Sequence, residues 1–205
     1  MFNALALISV LSIIVMLRTI VSIIPSVMAC LIWWKENINI ELSVKLGRAR
    51  DMTAAAMVLP FCLTAFRFRL YDPGFVSVMT DDSRLWTLIA IFTLYALVRH
   101  LAFRLARSQS IPSKTYTAAD KASYTFFILL TLILLSTGGI TSFAGMSPVL
   151  VKIIMLWLSA LIYGLYLLRK LQIFASSCSL FTAFLYLCAL EFLPTGILVT
   201  SVIIF

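Results

Sequence analysis

The sequence LQIFASSCSLFTAFLYLCALEFLPTGILVTSVIIF, residues 171–205, contains the most informative pattern in the chain. From Ile173 onward it is continuously apolar or small except for one carboxylate, Glu191, which Pro194 follows three residues later. About 20 apolar residues, each rising about 1.5 Å, cross a hydrocarbon core of about 30 Å. The run therefore predicts a membrane span. An ionisable group inside a span is costly, which makes Glu191 a candidate site residue.

The composition of the chain points to the same class of protein. Hydrophobic residues make up 62% and charged residues 12% of the 205 residues, against about 45–50% and about 25% in soluble domains. The formal net charge of +8 does not indicate nucleic acid, because the basic residues stand at the ends of apolar runs without a basic stripe or an aromatic platform. We predict an all-α polytopic bundle of about six transmembrane helices, forming one domain over residues 1–205.

Six apolar runs define the predicted spans, which are residues 4–34, 52–69, 85–103, 122–140, 148–168 and 173–205. The second span is short for a bilayer. The charged residues 35–51 that precede it predict a short amphipathic segment on the membrane surface. The sequence STGGITSFAG, residues 136–145, predicts a turn between spans four and five.

Lysine and arginine residues predict the orientation. The loops after spans one, three and five carry eleven of them, namely Lys35, Lys45, Arg48, Arg50, Arg99, Arg104, Arg107, Lys114, Lys121, Arg169 and Lys170. The other side carries four, namely Arg67, Arg69, Arg84 and Lys152. Because positive loops stay on the cytoplasmic side, we expect both termini outside.

The cysteines and the single histidine predict no cofactor and no metal. Cys30, Cys62, Cys178 and Cys188 lie in apolar runs without the spacing of a zinc or iron–sulfur site. His100 is alone, so it cannot supply the paired ligands of a membrane haem. No set of acid, base and nucleophile is recognisable, so we expect a protein that is not an enzyme.

The helical rise predicts where the candidate site residues lie. From the predicted cytoplasmic boundaries, Arg18 and Arg67 are each about 24 Å along their helices, and Glu191 is about 31 Å from Lys170. Arg18, Arg67, Arg69 and Glu191 are therefore predicted in one layer of the outer half of the membrane. Lys152 is predicted near the outer end of span five. These five residues are the candidates for binding a substrate or a lipid.

Three interpretations of Glu191 remain open at this point. It pairs with Arg18 or with an arginine of span two to fix helix packing. Alternatively, the basic layer binds an anionic headgroup or phosphate, with Glu191 as the counter-charge or a proton carrier. In the third, Glu191 is protonated and hydrogen-bonded. Pro194 lacks a backbone donor, so an opened backbone is predicted beside the acid in each case.

The segment LYLCALEFLP (residues 185–194), with LRKLQIF (residues 168–174) before it, resembles the C-terminal signature of a family of bacterial inner-membrane proteins known only as a domain of unknown function. The resemblance implies a multi-span inner-membrane protein of a Gram-negative cell, of the Bacteroidota. It implies no activity and no ligand.

Two functional hypotheses follow. The leading one is a non-enzymatic membrane component, either an assembly partner of an envelope complex or a lipid-binding scaffold. Its partners are then membrane lipids and other envelope membrane proteins, with no nucleic acid. The alternative is a small transporter or flippase for an anionic or lipid-linked substrate, which uses Glu191 with Arg18, Arg67 and Arg69.

Overall fold

The computed structural model describes residues 2–71, 73–105 and 112–204, and it consists of helices joined by short turns. The predicted all-α fold is confirmed, and these residues contain no strand. The helices are α1 (Phe2–Ile32), α2 (Trp34–Leu42), α3 (Val44–Arg67), α4 (Gly74–Ser77), α5 (Asp81–Leu105), α6 (Ser113–Phe143), α7 (Pro148–Ala175), α8 (Leu180–Leu187) and α9 (Leu193–Ile204), with a π-helical turn (Cys188–Phe192) between the last two. Arg107, one of the cations counted for orientation, lies outside the described residues.

Within the described residues, six segments are long and apolar enough to cross a membrane: Asn3–Ile32, Val44–Arg67, Asp81–Leu105, Ser113–Phe143, Pro148–Ala175 and Leu180–Ser201. Their outer faces carry large apolar side chains, such as Val15 (75% exposed) and Trp157 (74% exposed). Such faces are suited to the hydrocarbon core of a membrane and would be unfavourable in water. The chain is therefore an integral membrane protein with several spans.

The second span is longer than predicted. It was expected to begin at residue 52, but α3 begins at Val44. The hydroxyl of Ser43 accepts a hydrogen bond from the backbone N–H of Leu46 at 3.4 Å and so caps the helix. With 24 residues, α3 is long enough for a bilayer. The helix includes charged residues because Arg50 and Asp51 find partners inside the protein.

The segment predicted to lie on the membrane surface packs against other helices of the bundle. Its first half forms α2, in which Asn37 and Ile40 are fully buried, and α2 packs against α1, α3 and α6. Its second half belongs to α3. A one-residue break at Ser43 separates the two helices.

The prediction that span five ends at residue 168 was also wrong, because α7 continues to Ala175. Arg169 does not mark the helix end. Its guanidinium donates from Nε (3.0 Å) and Nη2 (2.6 Å) to the backbone carbonyl of Leu31, which caps the last turn of α1. The opened backbone predicted beside Glu191 is confirmed as the π-helical turn, which ends two residues before Pro194.

The glycine-rich stretch is only partly a turn. Gly138 and Gly139 lie inside α6, and Gly145, with a φ of 61°, forms the turn. A Cβ on Gly138 would lie 3.0 Å from Cε2 of Phe68 and 3.3 Å from Cε of Met155. Glycine at this position thus allows α6 to pack closely against the end of α3 and the start of α7.

Helix α6 occupies the centre of the bundle and packs against α7, α3 and α2. It runs in the same direction as α3, since Asp51 contacts Lys121 near the starts of both helices and Phe61 contacts Phe127 further along. Helix α5 packs against α3 on one side and against the π-helical turn and α9 on the other. These contacts bring the ends of α5 and α7 to the middle of the last span.

Candidate functional site

Glu191 lies in the π-helical turn and is fully buried. Arg99 donates to its carboxylate through Nε, at 3.1 Å from each oxygen, and through Nη2, at 2.8 Å from Oε1. The ammonium of Lys170 binds Oε1 as well, and the hydroxyl of Tyr166 donates to Oε1 at 2.6 Å. These four residues, which we call the charge cluster, join α5, α7 and the last span through one carboxylate.

The hydroxyl of Tyr166 also links the other residues of the charge cluster to one another. Its hydroxyl accepts from Arg99 Nη2 at 2.7 Å and from Lys170 Nζ at 3.0 Å. The surroundings are apolar, since Lys170 is fully buried and its ammonium lies 3.8 Å from the ring centroid of Phe103. Charge interactions are strong in such surroundings, and an unpaired charge there is correspondingly costly.

Helical spacing explains how the sequence builds the cluster. Tyr166 and Lys170 are four residues apart on α7, so they share one face. Arg99 and Phe103 have the same spacing on α5. The last helix contributes Glu191 from its widened turn, where the backbone carbonyl of Glu191 accepts from the hydroxyl of Tyr163 at 3.4 Å.

A cavity of about 140 Å³ adjoins the charge cluster between α5, α6 and α7. Its walls include Tyr95 and Arg99 from α5, Phe126 from α6, Tyr163 from α7, and Glu191. One water occupies about 30 Å³ in the liquid, so the cavity has room for about four or five waters or for one group of phosphate or carboxylate size. Whole organic ligands usually need about 300–1,000 Å³.

A second group of paired charges, which we call the α2–α3–α6 network, lies nearby. Arg50 is fully buried and donates from Nη2 to Glu41 Oε2 at 2.8 Å and to Asp51 Oδ1 at 2.9 Å. Lys121 donates to Asp51 Oδ2 at 2.9 Å. The preceding residue on α6, Asp120, lies close enough to the charge cluster to interact electrostatically with its cations. Helix α6 therefore carries one cation of the α2–α3–α6 network and, directly before it, an acid near the charge cluster.

The structure corrects the predicted partners of Glu191. Arg18 or an arginine of span two was expected, but among the described residues the ion pairs of this carboxylate go to Arg99 and Lys170. The predicted depth of Glu191, about 31 Å from Lys170, was also wrong. Lys170 is not at a helix end, because α7 continues for five more residues, and α8 then returns Glu191 to the level of Lys170.

Arg67 and Arg69 do not share a layer with Glu191. They close α3 beside Gly138 of α6, whereas the cavity at the charge cluster is lined by Ser123, fifteen residues and thus about 22 Å earlier on that helix. Arg69, at φ 49°, ends α3 in a Schellman motif. Arg67 and Arg69 are both exposed.

Lys152 is half-buried near the start of α7. Arg18 is exposed and lies beside the first turns of α3, in a groove that Lys45 and Arg48 also line. Of the five predicted site residues, the structure thus brings only Glu191 into the charge cluster.

Sequence reasoning missed Arg99, Tyr166 and Lys170 as site residues. Both cations were counted as loop residues because they stand near the ends of apolar runs. The available signal was spacing, since Tyr95 and Arg99, and likewise Tyr166 and Lys170, each place a phenol and a cation four residues apart on one helix face.

The arrangement holds one negative and two positive charges at a fixed place in the bundle. Among the described residues, no group of three or more His, Cys, Asp or Glu side chains could hold a metal ion. No family model matches the chain, and no curated protein or solved structure matches it. The resemblance of the C-terminal segment to an inner-membrane family therefore stays a prediction.

Proposed function

We propose that the protein is a non-enzymatic component of a bacterial inner membrane, with both termini outside, that binds lipid and serves as an assembly partner in an envelope complex. In this proposal the charge cluster is an internal lock that fixes α5, α7 and the last span in one arrangement. The observation that supports this role of the charge cluster is that the Glu191 carboxylate is fully buried and already bound by three side chains of its own chain.

The saturation of the carboxylate supports a packing role over a chemical one. A general acid, base or nucleophile must reach a substrate, whereas Arg99, Tyr166 and Lys170 are all engaged with Glu191 and with one another. Removing one partner of a buried ion pair leaves the other charge unpaired, which costs about 3–5 kcal/mol.

The experiment compares two ways of removing the lock. Glu191→Gln leaves two cations without a counter-charge and should lower the free energy of unfolding in detergent by about 3–5 kcal/mol. A triple variant, Glu191→Leu with Arg99→Met and Lys170→Met, removes all three charges and should recover most of that loss, since well-packed apolar groups often replace buried ion pairs without cost.

The control is Glu36→Gln, which removes a carboxylate that accepts a hydrogen bond from the exposed side chain of Asn39. It should change stability little. A Glu191→Gln variant as stable as the Glu36→Gln variant would count against the lock. So would a triple variant less stable than Glu191→Gln.

A small transporter for an anionic or lipid-linked substrate is the second candidate. The favouring observation is that Glu191 sits in a π-helical turn beside the cavity of about 140 Å³, since such turns occur frequently at functional sites and intramembrane acids often carry protons.

Proton flux into proteoliposomes that contain a pH-sensitive dye tests the second candidate. A transporter should acidify the lumen under an imposed gradient and lose that flux with Glu191→Gln while remaining folded. Flux no greater than in protein-free vesicles, for the wild type, contradicts it and leaves the lock.

A further inference from the structure

A groove of about 750 Å³ runs between α1 and the first turns of α3. Three cations line it: Arg18 from α1, and Lys45 and Arg48 from α3, all exposed. Lys45 and Arg48 are three residues apart and share one helix face. The remaining wall combines the hydroxyl residues Thr19 and Ser22 with apolar side chains, including that of Met52.

The groove carries no compensating acid, because no Asp or Glu lines it. Three carboxylates elsewhere in the bundle already pair with other cations. Glu191 belongs to the charge cluster, and Glu41 and Asp51 bind Arg50 and Lys121. The three groove cations therefore present a local charge of +3 that the described part of the chain does not neutralise.

Arg18 gives the strongest reason to expect an anion. It is the single charged residue between Phe2 and Ile32, in a helix whose exposed faces are apolar, as at Val15 and Val21. A charge in such a segment is expensive unless it is paired or reaches a polar layer. Together with Lys45 and Arg48 it forms a site in which one phosphate could bind several donors.

The shape of the groove suits a headgroup that remains attached to acyl chains. Its volume falls within the usual range for ligand pockets, about 300–1,000 Å³, and far exceeds that of the cavity at the charge cluster. The apolar faces of α1 at Val15 and Val21 lie within one turn of Arg18, so acyl chains could pack beside a bound headgroup.

We propose that the groove lined by Arg18, Lys45 and Arg48 binds the phosphate of an anionic lipid headgroup. This inference deepens the lipid-binding part of the proposed function by naming its site and its ligand class. It is independent of the lock, because none of these three residues belongs to the charge cluster.

The experiment uses native mass spectrometry of the full chain in a neutral detergent. The protein is titrated with dioleoyl phosphatidylglycerol, and separately with dioleoyl phosphatidylcholine, which has the same acyl chains but no net charge. The test variant combines Arg18→Gln, Lys45→Gln and Arg48→Gln. The matched control combines Arg67→Gln, Arg69→Gln and Lys152→Gln, which removes the same charge at other places in the bundle.

The wild type and the control should bind phosphatidylglycerol alike, and the groove variant should bind it about 100-fold more weakly, since each basic side chain near an anionic surface contributes on the order of fivefold. Phosphatidylcholine should bind weakly to all three. A third arm adds inorganic phosphate. Displacement of the lipid at micromolar phosphate would identify a free anion as the ligand, and displacement only at far higher concentrations would identify the lipid.

The proposal is overturned if the groove variant binds phosphatidylglycerol as the wild type does, or if the control loses binding equally. The lock is unaltered in both variants, so such a result leaves it untouched. Thermal unfolding of each variant in detergent checks that it is folded. If the groove variant is not, single replacements of Lys45 and Arg48, both exposed, provide the same comparison.

Discussion

The hydroxyl of Tyr166 mediates between three charged groups. It accepts from Arg99 and Lys170 and donates to Glu191, so one oxygen atom takes part in three of the hydrogen bonds of the charge cluster. A hydroxyl is suited to this position because it donates once and accepts twice. A carboxylate there would add a second negative charge, and an amine would add a third positive one.

Removing that hydroxyl should weaken the protein without disturbing its packing. We expect Tyr166→Phe to lower the free energy of unfolding by about 1–3 kcal/mol, because buried donors on Arg99 and Lys170 each lose a partner. The measurement is unfolding in mixed micelles at increasing denaturing detergent. Tyr186→Phe is the control, since its ring stacks on Phe174 and its hydroxyl has no hydrogen bond among the described residues. Equal effects of the two changes would contradict the assigned role.

At the scale of the element, two adjacent glycines of α6 differ in their surroundings. A Cβ at Gly138 would lie 3.0 Å from Phe68, whereas a Cβ at Gly139 would meet nothing within 4 Å. Glycine costs about 1 kcal/mol relative to alanine in a helix interior. Only at Gly138 does close packing compensate for that cost.

The two alanine substitutions should therefore have opposite signs. Gly139→Ala should raise the free energy of unfolding by up to about 1 kcal/mol, while Gly138→Ala should lower it by about 1 kcal/mol or more, because Phe68 and Met155 must move. The same unfolding assay measures both. Stabilisation by Gly138→Ala would show that the contact with Phe68 relaxes freely.

Element type was predictable from the sequence, and element ends were not. Long apolar runs specify membrane helices whatever their partners, so six spans followed from the apolar pattern, and the opened backbone beside Glu191 followed from the missing donor of Pro194. The start of α3 and the end of α7 were predicted wrongly, because Arg50 and Lys170 resemble loop residues until their partners are known. The same holds for the site: an acid in an apolar run identifies Glu191, but its pairing with Arg99 depends on a contact 92 residues away in sequence.

At the scale of the whole molecule, the orientation can be tested at the two ends of α6. Lys114, near its start, and Met146, just after its end, are both exposed. If both termini are outside, the start of α6 is cytoplasmic.

A membrane-impermeant maleimide distinguishes the two orientations. In a background with the four native cysteines replaced by alanine, we expect Met146→Cys to be labelled on intact spheroplasts and Lys114→Cys to be labelled only after lysis. The reverse pattern would place the termini in the cytoplasm. Labelling of both positions before lysis would indicate leaky membranes. A cytoplasmic marker protein that stays unlabelled until lysis excludes this.

The π-helical turn also sets how far α9 is rotated about its axis relative to α8. An α-helix advances about 100° per residue, and a π-helical turn accommodates one residue more than an α-helical turn does. The helix after the turn is therefore rotated relative to the helix before it. Upstream, Ala183 and Leu187 are buried. Downstream, Thr195 bonds Tyr95 of α5 at 2.9 Å and Ser201 bonds Tyr71 at 2.7 Å. Without the extra residue, α9 would turn these hydroxyls away from their phenols, so the wide turn lets one continuous span present two differently directed faces.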